Sequence, residues 1–155
     1  MTTAKTPTFS DTEIIQLLVQ QYQLSGQLKR LPGYCDQNLL LTTDNNKQYI
    51  VKIANAAEPK LELAMQNSAM AHLTEKQCTV PHALNNQRGE SITVIANAQQ
   101  VSFCLRVLTF IPGQFYAEAD SLSHNKDLWA DLGKFIANID LALADFTHSG
   151  AFRYL

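Results

Sequence analysis

A single lysine lies inside an apolar, strand-like run in the first third of the chain. Along residues 48–53, Tyr49, Val51 and Ile53 share one face and Lys52 lies on the other. An ammonium placed among apolar residues needs an acid or a ligand when water does not reach it. The run therefore predicts either a lysine aimed at a charged partner or an edge strand whose lysine points into water.

The order of periodic segments predicts the fold. Ser10 and Glu13 form a capping box, which predicts a helix over about 11–22. Alternating apolar residues and turn residues predict five strands, and helical spacing predicts two further helices. The strands are expected at 27–31, 37–43, 47–53, 90–96 and 101–110, and the helices at 60–77 and 124–144. This order predicts an α+β fold: a five-stranded antiparallel sheet with a helix inserted after its third strand, an N-terminal helix and a long C-terminal helix.

Composition narrows the class of protein. The 155 residues are 46% hydrophobic and 17% charged, as in a single globular domain. The net charge of −2 and the lack of a basic block argue against nucleic-acid or membrane-surface partners, and no apolar run is long enough to span a membrane. The three cysteines, Cys35, Cys78 and Cys104, lack metal-ligand spacing. We therefore expect a cytoplasmic protein.

Four short motifs, in this order, resemble the N-terminal lobe of the aminoglycoside phosphotransferase family of small-molecule kinases. The resemblance is greatest to the branch that contains hydroxylysine kinase and the modules fused to class III aminotransferases. The motifs are residues 31–38, 51–53, 65–73 and 108–113. The resemblance implies a protein-kinase-like nucleotide-binding lobe over residues 1–113. It also implies that residues 114–155 are a linker and a helix leading to a C-terminal lobe that is absent here.

The resemblance assigns roles around the lysine. Lys52 would contact the α- and β-phosphates, and the turn with Gly33 and Tyr34 would cover them. The position that is usually a glutamate falls on Gln66, so Glu62, one helical turn earlier, is preferred as the acid that orients Lys52. The alternatives are an ordinary hairpin turn at Gly33 and solvated side chains at the two helix positions.

A second set of residues would hold the purine. In the resemblance, the fifth strand leads into a hinge that recognises adenine through backbone groups. The residues expected to line this pocket are Leu108, Thr109, Phe110 and Ile111, and the Pro-Gly pair at 112–113 ends the segment. A strand followed by a plain Pro-Gly turn would give the same sequence.

The groups that perform phosphoryl transfer are not found in the sequence. No histidine begins the H-x-D-x-x-x-x-N run of the family, which supplies the aspartate for the acceptor hydroxyl and a ligand for Mg²⁺. We therefore expect a fragment that binds ATP or GTP, with the Mg²⁺ ligands and the small-molecule substrate site in the absent lobe, and that is inactive alone. The alternatives are a non-catalytic interaction module of the same shape and an unrelated α+β domain.

The C-terminal helix carries an apolar stripe that needs cover on more than one side. Leu128, Leu132, Phe135 and Ile136 recur along it, and Trp129 widens it. We expect part of this stripe to be exposed or to pack against another copy of the chain, as a homo-oligomer.

Overall fold

The computed structural model of the protein describes residues 6–115, 118 and 126–151. Its helices and strands follow the expected order. They are α1 (Asp11–Tyr22), β1 (Gly26–Leu31), β2 (Gln37–Thr43), β3 (Gln48–Ile53), α2 (Lys60–Glu75), β4 (Thr93–Ala96), β5 (Ser102–Thr109) and α3 (Lys126–Leu143). The predicted α+β class, with five strands and an inserted helix, is confirmed.

The five strands form one antiparallel sheet in the order β1-β2-β3-β5-β4. The crossover connection runs from β3 to β4 through α2 and the segment after it, and β5 then lies between these two strands. Alternation along each strand gives the sheet two different faces. One face is largely apolar and packs on α1, and its core includes Leu39, Val51, Leu105 and Val107. The opposite face carries Lys52 and lies toward α2.

The first helix begins at the predicted capping box. The Ser10 hydroxyl accepts from the Glu13 amide at 3.3 Å, and the Glu13 carboxylate accepts from the Ser10 amide at 2.8 Å. Ile14 and Leu18 are fully buried against the sheet, and each such side chain contributes about 1.5–3 kcal/mol through burial. α1 therefore covers the core face, and the face that carries Lys52 is not in contact with α1.

Two predicted elements extend two or more residues beyond the observed bounds, for local reasons. β4 begins at Thr93 rather than Glu90 because the Asn86 side chain accepts from the amides of Arg88 and Glu90, at 2.9 and 3.0 Å. This turn keeps Glu90 out of the sheet. α2 ends at Glu75 because Gln77 adopts a left-handed conformation, with φ 64°. The predicted start of the last helix and most of the predicted linker lie outside the described residues.

The C-terminal end of α3 packs on α2. The His72 ring lies 2.8 Å from the Ala142 carbonyl oxygen, and Asp145 contacts both His72, at 2.9 Å, and Lys76, at 2.7 Å. Much of the remaining apolar surface of α3 is exposed, including Trp129 at 55%. This is the exposed stripe that the sequence predicts. Among the described residues, no helix has the length and apolar character needed to cross a membrane.

Candidate functional site

The ammonium of Lys52 is held by two residues at the junction of the β1–β2 loop with β2. Lys52 Nζ donates to Asn38 Oδ1 at 2.9 Å and lies 4.0 Å from Asp36 Oδ2. Antiparallel pairing places Asn38 directly across from Lys52. The lysine side chain is 28% exposed, so the ammonium is neither in free water nor fully enclosed. Lys52 is thus the aimed lysine of the first alternative, not an edge-strand lysine in solvent.

The connection between β1 and β2 fixes these two partners. Asn38 Nδ2 donates to the Pro32 carbonyl at 3.2 Å, and Asp36 Oδ1 accepts from the Asn55 amide at 3.0 Å. A Cβ atom on Gly33 would lie 2.5 Å from the Asp36 carbonyl oxygen and 2.8 Å from Asn38 Nδ2. Only glycine fits this close approach. The loop therefore brings Asp36 and Asn38 to Lys52 while Tyr34, at its tip, is 100% exposed.

A second cation stands beside Lys52. Arg106 on β5 is the direct cross-strand partner of Lys52 and is only 3% exposed. Its guanidinium donates to α2 three times: to Gln66 Oε1 at 2.9 Å, to Asn67 Oδ1 at 3.0 Å and to the Leu63 carbonyl at 3.4 Å. The sheet is thereby tied to its inserted helix through an arginine rather than through Lys52.

This arrangement corrects the expected pairing of Lys52. The preferred partner was Glu62, with Gln66 as the other candidate, but the ammonium contacts Asn38 and Asp36. The amide of Gln66 is engaged by Arg106. Glu62 lies in the first turn of α2 and has an interaction of its own. A role for Glu62 and Gln66 in binding a nucleotide stays a prediction.

The electrostatics of the two cations follow from burial and from each other. Burial lowers the pKa of Lys52, the nearby charge of Asp36 partly offsets this, and the charge of Arg106 lowers it further. Burial also lowers the pKa of Arg106, again opposed by Asp36. The charge of Asp36 acts on both cations, and the charge of Glu58 acts on Arg106. Two neighbouring cations on one face of the sheet can attract an anion.

An apolar row lies next to this charged row. Leu40, Ile50 and Leu108 are cross-strand neighbours two residues away from the Asn38, Lys52 and Arg106 row, so they lie on the same face. Leu40 and Ile50 are half-buried, and Leu108 is 9% exposed. A flat apolar surface beside a positive one can accept a ring and an attached phosphate chain.

The expected purine-contacting residues divide into two pairs. Leu108 contributes a side chain to the apolar row. The Thr109 amide donates to the His82 carbonyl oxygen, and the Thr109 hydroxyl oxygen accepts from the His82 amide, both at 3.0 Å. In the part of the chain that the structure describes, the backbone groups of Phe110 and Ile111 make no hydrogen bond. These two residues follow β5 directly, and a role for them in binding a purine stays a prediction.

The donors at the charged row do not suit a metal ion. Lys52 and Arg106 are cations, and divalent metals require oxygen, nitrogen or sulfur ligands with free electron pairs. Over residues 6–115, 118 and 126–151, no group of three or more His, Cys, Asp or Glu is placed to bind a metal ion. The described residues thus provide a cationic, apolar-lined surface rather than a metal centre.

Sequence reasoning missed the partners of the two cations. Asp36 and Asn38 were recognised within a motif but not as contacts of Lys52, and Arg106 was not singled out. Arg106 could have been found by the argument applied to Lys52, because it too is a charged residue inside an apolar strand.

A five-stranded antiparallel sheet with an inserted helix, and a lysine on the face toward that helix, defines the N-terminal lobe of a kinase-like fold. The chain belongs to the phosphotransferase enzyme family (APH), whose model matches residues 27–154. The resemblance stated from the motifs is confirmed.

Two comparisons describe the relatives. Hydroxylysine kinases of Xenopus laevis and Mus musculus are 28% and 26% identical over 154 and 156 residues, which is 92% of this chain. The chain spans about two fifths of these relatives, 40% of each. Among solved structures, amicoumacin kinase hAmiN in complex with AMP-PNP, Ca²⁺ and Ami has a TM-score of 0.79 at 16% identity, covering 91% of this chain and 42% of that one. A microcompartment-associated aminopropanol kinase has a TM-score of 0.70 at 19% identity, covering 94% and 44%.

Proposed function

We propose that this chain is the nucleotide-binding lobe of a small-molecule phosphotransferase and that Lys52 contacts the phosphates of ATP or GTP. The observation that carries the proposal is the placement of the Lys52 ammonium, held at 2.9 Å by Asn38 on the open face of the sheet. An ammonium that is preorganised, partly desolvated and beside a second cation binds a phosphate chain more strongly than a mobile surface lysine.

The purine is proposed to lie on the apolar row of Leu40, Ile50 and Leu108. From there its polar edge would reach the open backbone groups of Phe110 and Ile111, which follow the fifth strand. The loop from Pro32 to Asp36 would then close over the phosphates, with Gly33 permitting close approach. The similar structure of amicoumacin kinase, which contains the nucleotide AMP-PNP, supports this type of ligand.

Catalysis is proposed to need groups beyond this lobe. Transfer of the γ-phosphate to a small-molecule hydroxyl requires an aspartate to orient the hydroxyl, and ligands for Mg²⁺. The given sequence has no H-x-D-x-x-x-x-N run, and among the described residues no group of three or more His, Cys, Asp or Glu is placed to bind a metal ion. We therefore propose residues 1–113 as the nucleotide-binding part and 114–155 as a linker and helix, with the acceptor and metal sites in a second lobe.

Partners and location follow from the same reasoning. We propose a cytoplasmic protein whose partners are a nucleotide and a small hydroxylated substrate. Support comes from the three cysteines, which are free thiols, and from the nearly neutral charge. The exposed apolar side of α3 is proposed to pack against the second lobe or, when that lobe is missing, against another copy of the chain.

The proposal is tested by titrating the protein at its natural length with ATP, GTP and adenosine in a calorimeter. We expect ATP or GTP to bind more tightly than adenosine, because the phosphates add contacts to Lys52, and to raise the melting temperature. The second candidate function, a non-catalytic interaction module, is favoured by one observation: Gln66 stands where the family usually has a glutamate. A stable protein complex together with no nucleotide effect on melting would support that alternative and contradict ours.

A further inference from the structure

Arg106 is a buried cation whose hydrogen-bond partners carry no charge. It is 3% exposed, and its three acceptors among the described residues are two side-chain amides and one backbone carbonyl. Its Nε has no acceptor and is fully buried. The other buried donor without a partner among the described residues is the side-chain Nδ2 of Asn55, whose backbone amide donates to Asp36. The charged row therefore holds more donors than acceptors.

Such an arrangement is costly for the protein on its own. Burying a charge without a counterion is unfavourable, and like charges directly opposite each other on neighbouring strands repel. The charge of Asp36 acts on both cations, although its carboxylate lies 4.0 Å from Lys52, and the charge of Glu58 acts on Arg106. A glutamate at position 66 could reach the same guanidinium nitrogen and neutralise it, yet the sequence places an uncharged amide there.

We propose that Arg106 is a second cation of the phosphate site, held in place by the neutral amides of Gln66 and Asn67 so that its charge adds to that of Lys52. This inference rests on the proposed nucleotide-binding function and extends it to a residue on β5. The amides fix the guanidinium without cancelling its charge, and bound phosphates would add their negative charge to that of Asp36 and Glu58. Because the guanidinium is covered, it acts on the phosphates through its electric field and positions them relative to Lys52.

The decisive variant is Gln66→Glu, which retains an acceptor for Arg106 but adds a negative charge. Gln66 is exposed, so the substitution is compatible with folding. We expect about fivefold to thirtyfold weaker ATP binding, the effect of one charge several ångströms away. Adenosine binding should be unchanged, and ATP binding should depend less steeply on NaCl concentration. Gln99→Glu, an exposed change in the turn between β4 and β5, is the matched control and should leave all three measurements unaltered.

The new charge of Gln66→Glu could weaken ATP binding by neutralising Arg106, by neutralising Lys52 or by repelling ATP directly. A double-mutant cycle with Arg106→Met separates the first effect from the other two. If Arg106 is the target, Gln66→Glu should have little effect in the Arg106→Met background. An equal effect in both backgrounds would overturn the inference, and so would unchanged or tighter ATP binding by Gln66→Glu, because Arg106 would then serve only to attach α2.

Gln66→Glu alone remains decisive if Arg106→Met does not fold. Its ATP affinity can still be compared with that of Gln99→Glu and with its own affinity for adenosine. If ATP binding depends on Lys52 but not on the charge at position 66, the inference about Arg106 fails while the proposed function stands. Absence of ATP binding by the wild-type protein would overturn the proposed function and this inference together.

Discussion

Lys52 and Arg106 are direct cross-strand partners, yet their hydrogen bonds run in different directions. Lys52 is bound by Asn38 from the loop end of β2, whereas Arg106 is bound by α2 through Gln66 and Asn67. One cation therefore connects β3 to the end of the loop between β1 and β2, and the other connects β5 to the inserted helix. In the resemblance one lysine makes the connection to the helix, so here the two tasks are divided between two strands.

Replacing Gly33 by alanine should loosen the loop that holds Lys52. The added Cβ would meet the Asp36 carbonyl oxygen at 2.5 Å, so the backbone has to move. We expect a cost of about 1–3 kcal/mol, as for other overpacked sites. This corresponds to a melting temperature lower by roughly 3–10 °C, together with weaker ATP binding.

Gly113→Ala is the matched control for that change, because a Cβ at Gly113 has no atom within 4 Å. Thermal unfolding followed by circular dichroism compares the two variants directly. Equal melting temperatures for the Gly33 and Gly113 variants would show that the loop is not held in this close arrangement.

The pH dependence of stability should report on Lys52 and Asp36. Because the folded pKa of Lys52 is lowered below its ordinary value of 10.5, the unfolded chain binds more protons between the two pKa values. The free energy of unfolding should therefore rise with pH between the folded and the unfolded pKa of Lys52. This contribution is lost again as the pH falls through the folded pKa. Asp36→Asn removes a charge that raises this pKa, so the rise should begin at a lower pH.

Urea unfolding over a series of pH values below 10.5 measures this effect. Asp44→Asn, in the exposed turn between β2 and β3, is the control for loss of one carboxylate. A stability profile that Asp36→Asn leaves unmoved would mean that Asp36 does not act on the Lys52 ammonium.

The exposed side of α3 should cause self-association of the 155-residue chain. Ile136 and Trp129 are 52% and 55% exposed, and apolar surface of this kind is usually covered in a stable protein. We expect the chain to elute from a sizing column above its mass of 17.3 kDa. Ile136→Ala should weaken this association, while Lys134→Ala, on an exposed side chain of the same helix, should not. A strictly monomeric chain whose Trp129 fluorescence resists a soluble quencher would contradict the expectation.

The sequence was sufficient for the sheet because strand alternation and turn residues are local signals. The second strand was predicted to the residue, and Lys52 was placed on the correct face. The partner of Lys52 could not be obtained in this way. Which of Glu62, Gln66 and Asn67 meets the sheet depends on the rotation of α2, which its packing through Leu63 decides.

Contacts made by the loop were likewise beyond sequence reasoning. The approach of Gly33 to Asp36 and Asn38 depends on backbone geometry that residue types alone do not specify. The residues expected to face a purine were only partly separable by sequence. In the structure Thr109 bonds to His82, whereas the backbone of Phe110 and Ile111 makes no hydrogen bond within the described residues. Periodicity therefore predicts faces of elements, and tertiary packing determines the individual contacts.

The central claim is that Lys52 contacts the phosphates of a bound nucleotide. Calorimetric titration of ATP into the protein at its natural length, as wild type, Lys52→Ala and Lys47→Ala, tests it most directly. Lys47 lies in the exposed turn before β3 and controls for loss of one positive charge. We predict that Lys52→Ala weakens ATP binding about tenfold to a hundredfold, while Lys47→Ala and adenosine binding are unaffected. ATP affinity that Lys52→Ala leaves at the wild-type value would contradict the account.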